Sequence, residues 1–150
     1  MNYPITSAAI AFSGGHRVSD KLVDNRSYDP FPGIDAPEFD LRIKALLETY
    51  GRETSQVQLN LLDSHDTPRL LSVARGDKAT LRLASVLQMT FPGAPCVYYG
   101  DEIALRGTKR YDRPHRDFEA RWPFPWHDRA KWDLEMLEHF RRLIALRHRY

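Results

Sequence analysis

The 150-residue chain is 42% hydrophobic and 28% charged, enough apolar side chains to bury a core and too many for compositional disorder. Its 22 Lys and Arg against 20 Asp and Glu leave a formal charge of +2 with no basic run, which argues against a dedicated nucleic-acid binder. The single Cys96 excludes an internal disulfide framework, no apolar stretch nears the roughly 20 residues that span a bilayer, and a complete (β/α)8 barrel needs about 200 residues or more.

In chain order, Met1-Asn2-Tyr3-Pro4 lacks the basic start and apolar core of a signal peptide, which together with one free cysteine fits a cytoplasmic chain. Met1-Asn2-Tyr3 reads as the stump of a strand, followed by a short helix over Ala8-Ala9-Ile10-Ala11-Phe12 that Gly14-Gly15 stops. The stretch from His16 to Ile34 is irregular and centres on the turn Asp29-Pro30-Phe31-Pro32-Gly33, a long loop of the kind that carries function.

Asp35-Ala36-Pro37-Glu38 is a helix start with an Asx cap, an early proline and an acid in the first turn. Phe39, Ile43, Leu46, Leu47 and Tyr50 then recur at three- and four-residue steps, and Gly51 closes the helix. Val57–Leu62 has the length of a strand. A helix from Ala79 to Phe91, begun by Asp77, is apolar over much of its surface. A second strand is predicted over Cys96-Val97-Tyr98-Tyr99, ended by Gly100. A polar, arginine-rich loop runs to about His127, and a last helix is expected from about Asp128 to Tyr150, with Leu134, Leu137, Phe140, Ile144 and Arg147 along one stripe. There is no internal repeat and no low-complexity tract. Alternating short strands and helices signal βα units and a parallel sheet, whose ligand sites lie at the carboxyl ends of the strands.

Three polar clusters occupy those ends. Asp63-Ser64-His65-Asp66-Thr67-Pro68-Arg69 brings together two carboxylates, an imidazole and a guanidinium, a set suited to hydroxyl groups or developing positive charge. The alternative is a capped turn in which Asp63 and Asp66 accept backbone amides. Tyr98-Tyr99-Gly100-Asp101-Glu102 is either a carbohydrate platform or a turn whose acids cap it and pair with Arg106 or Arg110. In the third, Asp117–Trp126, Trp122 and Trp126 either stack on sugar rings or pack the loop onto the domain body. The six histidines show no metal spacing and Gly14-Gly15 no phosphate-loop context, so neither metal nor cofactor is expected. Arg141, Arg142, Arg147 and Arg149 read as a solvated face near a helix C-terminus.

Together the clusters resemble the alpha-amylase family of glycoside hydrolases. Leu61-Leu62-Asp63-Ser64-His65-Asp66-Thr67-Pro68-Arg69 is similar to the segment after that family's seventh barrel strand, which ends in His-Asp. Gly93-Ala94-Pro95-Cys96-Val97-Tyr98-Tyr99-Gly100-Asp101-Glu102 resembles its eighth-strand segment, residues 117–126 the loop that follows, and Met1-Asn2-Tyr3-Pro4 the end of the sixth strand. The form Leu-Leu-Asp-Ser-His-Asp-Thr-Pro-Arg is most similar to the cyclomaltodextrinase, neopullulanase and maltogenic amylase branch.

The resemblance implies a partial (β/α)8 barrel of the α/β class, residues 1–150 running from the end of strand six through helix eight, with the upstream half absent. It implies a retaining mechanism on α-1,4 and α-1,6 glucosidic bonds of maltooligosaccharides, cyclodextrins or pullulan. Asp66 would be the carboxylate that binds the −1 sugar and stabilises the transition state, and His65 would bond the same sugar. Asp117 and Arg121 would hold sugars further toward the non-reducing end, although Phe118 stands where the family usually has proline. The nucleophile and the general acid belong to strands four and five, so the chain alone is expected to be inactive. Calcium is common in the wider family, but no oxygen-ligand loop is presented here. The rival readings are a trehalose- or sucrose-acting transglycosylase or isomerase of the same fold, and a carbohydrate-binding or scaffold protein without chemistry. Neither a nucleic-acid nor a membrane partner is expected. Open sheet edges and the helix Ala79–Phe91 would drive self-association.

Overall fold

A computed structural model of the chain describes residues 1–19, 32–108 and 119–150. Helix α1 (Tyr3–Gly14) starts where Asn2 accepts the Ile5 amide and Pro4 sets the first turn. Helix α2 (Ala36–Val57) starts on Asp35, whose carboxylate accepts the Glu38 amide at 2.9 Å. Gly51 breaks it with φ 68° and ψ 169°, so the expected stop is a kink with one further helical segment beyond. Strand β1 (Leu59–Leu61), the unforeseen one-turn helix α3 (Leu70–Val73) and helix α4 (Lys78–Thr90) follow, α4 capped by Asp77.

Strand β2 comprises Ala94–Cys96, not the expected Cys96–Tyr99. It pairs in parallel with β1, Leu59 opposite Ala94 and Leu61 opposite Cys96. The ladder opens at once after Gly93, where the Ala94 amide donates to Gln58 O at 2.8 Å. Its last pair is Leu61 with Cys96, and among the described residues the apolar Val97-Tyr98-Tyr99 run has no partner strand. Helix α5 (Leu134–Arg149) begins six residues later than expected. Asp128 leads only into a 3-10 turn, Arg129–Lys131, and the helix cap is Asp133, which accepts the Met136 amide at 2.8 Å.

Helix α1 packs on α2 and α4, and α4 on α5, so the helices form a ring segment outside the strands. Among the described residues, the core holds Ile10, Leu70, Val73, Leu81, Ala84, Met136 and Phe140. The buried stripe of α5 is Met136, Phe140 and Leu143; Leu134 and Ile144 of the expected stripe are exposed. Its register is set by Asp133 at the cap and by Arg147 at the far end. That guanidinium is not on a solvated face, because it donates to Met89 O and Phe91 O at 3.2 Å and to Gly93 O, satisfying the carbonyls that end α4. The apolar face of α4 is likewise occupied between α1 and α5, with Leu83 left exposed.

Side-chain and backbone donors both bind this ring to the strands. Gln88 on α4 donates to Asn60 O at 3.1 Å and Cys96 O at 2.8 Å, one carbonyl on each strand. The Asn2 amide donates to Leu59 O at 2.8 Å, as the end of a preceding strand does. The result is an arc of a (β/α)8 barrel. Among the described residues no helix is long and apolar enough to cross a membrane.

The β2 start depends on Gly93, which has φ 118° and lies under the β1 backbone. A Cβ there would sit 2.6 Å from Gln58 O and 2.9 Å from Ser55 O. Gly93→Ala therefore combines a disfavoured dihedral with a collision against backbone, and is expected to cost about 3 kcal/mol in urea denaturation. A loss below ~1 kcal/mol would show that the strand entry relaxes freely.

Candidate active site

The turn after β1 is closed on itself. The Ser64 amide donates to Thr67 Oγ1 at 2.8 Å, the Thr67 amide to Ser64 O at 3.2 Å and the Asp66 amide to Ser64 Oγ at 3.1 Å. These bonds bury Ser64 and Thr67 and push His65 and Asp66 out at the carboxyl end of the strand, both exposed. His65 Nε2 lies 3.1 Å from Asp66 Oδ2.

A second element reaches the same pair. Arg121, in the 3-10 turn Glu119–Arg121, donates from Nε to His65 O at 2.7 Å and from Nη2 to Asp66 Oδ1 at 3.0 Å. Its two flanking carbonyls are held from the end of β2, since the Tyr98 hydroxyl donates to Ala120 O at 3.1 Å and the Tyr99 hydroxyl to Trp122 O at 2.9 Å. The base of this segment is stitched as well. Thr108 donates from its amide and its hydroxyl to Glu119 Oε2, at 3.0 and 2.7 Å, and the Ala120 amide donates to Thr108 O. Trp122 and Trp126 are both exposed, Trp122 beside Arg121 and Trp126 tilted against Phe124 with centroids 4.3 Å apart and edge-on to Trp132.

Beneath the turn lies a buried charged group. Asp63, Arg69 and Asp101 are 2%, 1% and 4% exposed. Asp63 Oδ2 accepts the Leu70 amide at 2.6 Å, the capping role open to it from sequence. Arg69 Nη1 donates to Tyr99 O at 2.7 Å and to Asp101 Oδ1 at 3.3 Å, and its guanidinium rests over the rings of Tyr98 and Tyr99, 4.7 and 5.0 Å from their centroids. Among the described residues Asp101 thus pairs with Arg69 rather than with Arg106; Arg110, the other expected partner, lies outside them. Its neighbour Glu102 accepts the Gly100 amide at 2.7 Å.

Burial pushes the Asp63 carboxyl up to about 6, against the Leu70 amide and the Arg69 charge that hold it down. Burial, reinforced by the negative charge of Asp63, raises Asp101 well above the ordinary carboxylate range. Burial also raises the Tyr98 phenol.

Of the residues expected at the site, the structure brings together His65, Asp66 and Arg121. Asp117 lies outside the described residues. Sequence reasoning missed Arg69 and Asp101 as partners and the tethering hydroxyls of Tyr98 and Tyr99. The available signal was that adjacent parallel strands deliver the residues after both of their ends to one rim. Among the described residues no three His, Cys, Asp or Glu side chains converge as metal ligands.

Parallel strands inside a ring of helices, with polar residues gathered beyond the strand ends, define the class as a (β/α)8-barrel segment carrying an active-site rim. The chain belongs to the alpha-amylase family, whose catalytic-domain model, Alpha amylase, catalytic domain, matches residues 20–141. It is 38% identical to a cyclomaltodextrinase of Geobacillus thermopakistaniensis over 150 residues, all of this chain and 21% of that protein. It is 38% identical to neopullulanase 2 of Thermoactinomyces vulgaris over 116 residues, 77% of this chain and 18% of that protein. The crystal structure of a debranching enzyme from Nostoc punctiforme matches with a TM-score of 0.87 and 41% identity, covering 100% of this chain and 29% of the other. The chain therefore spans about a fifth of the length of these curated relatives.

Proposed function

We propose that the chain supplies the strand-seven and strand-eight rim of a retaining hydrolase acting on α-1,4 and α-1,6 glucosidic bonds of maltooligosaccharides, cyclodextrins or pullulan. The names of the relatives support this substrate class. The observation that carries the reading is the joined, outward-facing His65–Asp66 pair at the carboxyl end of β1.

In this reading Asp66 accepts hydroxyl protons of the −1 sugar and sets negative charge beside the anomeric carbon as that carbon becomes oxocarbenium-like. His65 donates to the same sugar. Arg121, locked onto His65 O and Asp66 Oδ1, fixes where the carboxylate stands, and with Asp117 extends the rim toward further sugars. Neither Asp63 nor Asp101 takes the nucleophile or acid role: both are buried under the turn. Those two roles belong to strands four and five of the family barrel.

Two measurements test the reading. The purified chain alone releases no maltose from a cyclodextrin, and the same chain supplied with the first five βα units of a family barrel restores release. Maltose from the chain alone, or an assembled but inactive complement, would overturn it.

A further inference from the structure

We propose that Asp63, Arg69 and Asp101 form a buried positioning unit in which the two carboxyls share one proton, and that this unit fixes the turn carrying His65 and Asp66. The role given to the turn rests on the function proposed above; the shared proton does not.

The argument starts from what the turn hangs on. Asp63 is its first residue and Arg69 its last, and no bond joins their backbones directly. Asp63 closes the turn by accepting the Leu70 amide at 2.6 Å, and Arg69 anchors it through its own amide to Gly107 O at 2.9 Å. Both side chains then converge on Asp101, which comes from the end of the neighbouring strand. The two roots of the turn therefore meet on one residue of β2's rim.

Charge balance supplies the proton. Two ionised carboxylates and one guanidinium, all at most 4% exposed, would bury a net negative charge. Asp63 Oδ1 is buried without a hydrogen-bond partner, and the Asp101 carboxyl is close enough to interact with the Asp63 carboxyl. A single proton between the carboxyls supplies that missing donor and makes the cluster neutral. Arg69 serves both, bonding Asp101 and lying near Asp63, while its unpaired Nη2 belongs to a guanidinium covered by the two tyrosine rings. The other ionisable groups facing the pair are Tyr98, Tyr99 and Glu102. Losing the proton sets two like charges between the roots of the turn and forces them apart, so the geometry of His65 and Asp66 follows the state of a group they do not touch.

The test is carboxyl NMR on the whole chain carrying 13Cγ-labelled aspartate, with the backbone amides of Asp66 and Thr67 followed in the same titration. One proton of the Asp63–Asp101 pair is expected to remain bound at pH 7, and the two amides are expected to shift at the pH where it leaves. Asp63→Asn and Asp101→Asn each keep a neutral cluster with a donor between the side chains. Each alone is expected to preserve the fold and abolish that amide step. The double variant Asp63→Asn/Asp101→Asn strands Arg69 without a counter-charge and is expected to lose the closed turn. Two carboxyls both ionised at pH 7 overturn the proposal, as does an amide step that persists in both single variants. The wild-type spectrum decides the first point even if a variant fails to fold. Neither readout involves sugar, so a failure of the carbohydrate reading is distinguishable from a failure of this one.

Discussion

Arg69→Met is expected to lower the unfolding free energy by about 3–5 kcal/mol at pH 7, the cost of leaving buried carboxyls without their cation. Methionine fills most of the stem volume but removes the donors to Asp101 Oδ1 and Tyr99 O and the charge above the two tyrosines. Asp63 and Asp101 are already raised by burial, and Arg69 is among the groups that hold both down. Without it the folded state must keep protons on both. The unfolded chain releases them near pH 4, so above that pH the folded state binds more protons and stability falls as pH rises. The penalty is therefore expected to be largest at neutral pH and to shrink as pH falls to 4 and below, where both states become protonated. Urea denaturation at the two pH values measures it. An equal loss at both would mean that Arg69 contributes packing and hydrogen bonds alone.

Asp66→Asn, in the barrel completed by the upstream units, is expected to lower kcat by about 10³-fold, equivalent to roughly 4 kcal/mol of transition-state stabilisation. Asparagine keeps an oxygen for the Arg121 Nη2 donor, so the rim stays assembled. On the proposed mechanism it loses the negative charge that stabilises the positive charge developing at the anomeric carbon. Size-exclusion chromatography with light scattering verifies assembly, and steady-state cyclodextrin hydrolysis gives the rate. A fall of less than tenfold with normal assembly would remove Asp66 from the catalytic role.

Much of the architecture was legible because local chemistry dictates it. Asp35 and Asp77 had the cap residue type in front of an apolar period, and each does accept first-turn amides. The errors fell where local signals competed. Asp128 and Asp133 are both acceptable caps, and only the packing of Met136 and Phe140 against α4 selects the second. Val97-Tyr98-Tyr99 has higher strand propensity than Ala94-Pro95-Cys96, yet Gly93 and the length of β1 set the ladder earlier. Arg147 looked solvated because a sequence does not show that the last carbonyls of α4 lie alongside it. At the site, the polar cluster Asp63–Arg69 was legible from composition at a strand end, and the family resemblance singled out His65 and Asp66 within it. The buried network was not, because Asp63, Arg69 and Asp101 are brought together by strand pairing rather than by helical or turn spacing.

The stitching at Thr108 and Glu119 has an architectural consequence. Thr108 is bonded to Glu119 and Ala120, and Tyr98 and Tyr99 hold the carbonyls on either side of Arg121. Arg121 is thus gripped by His65 and Asp66, its neighbouring carbonyls are held by Tyr98 and Tyr99, and the chain on either side of residues 109–118 is joined at Thr108 and Glu119. The placement of the arginine that frames Asp66 therefore has four supports that do not run through that stretch.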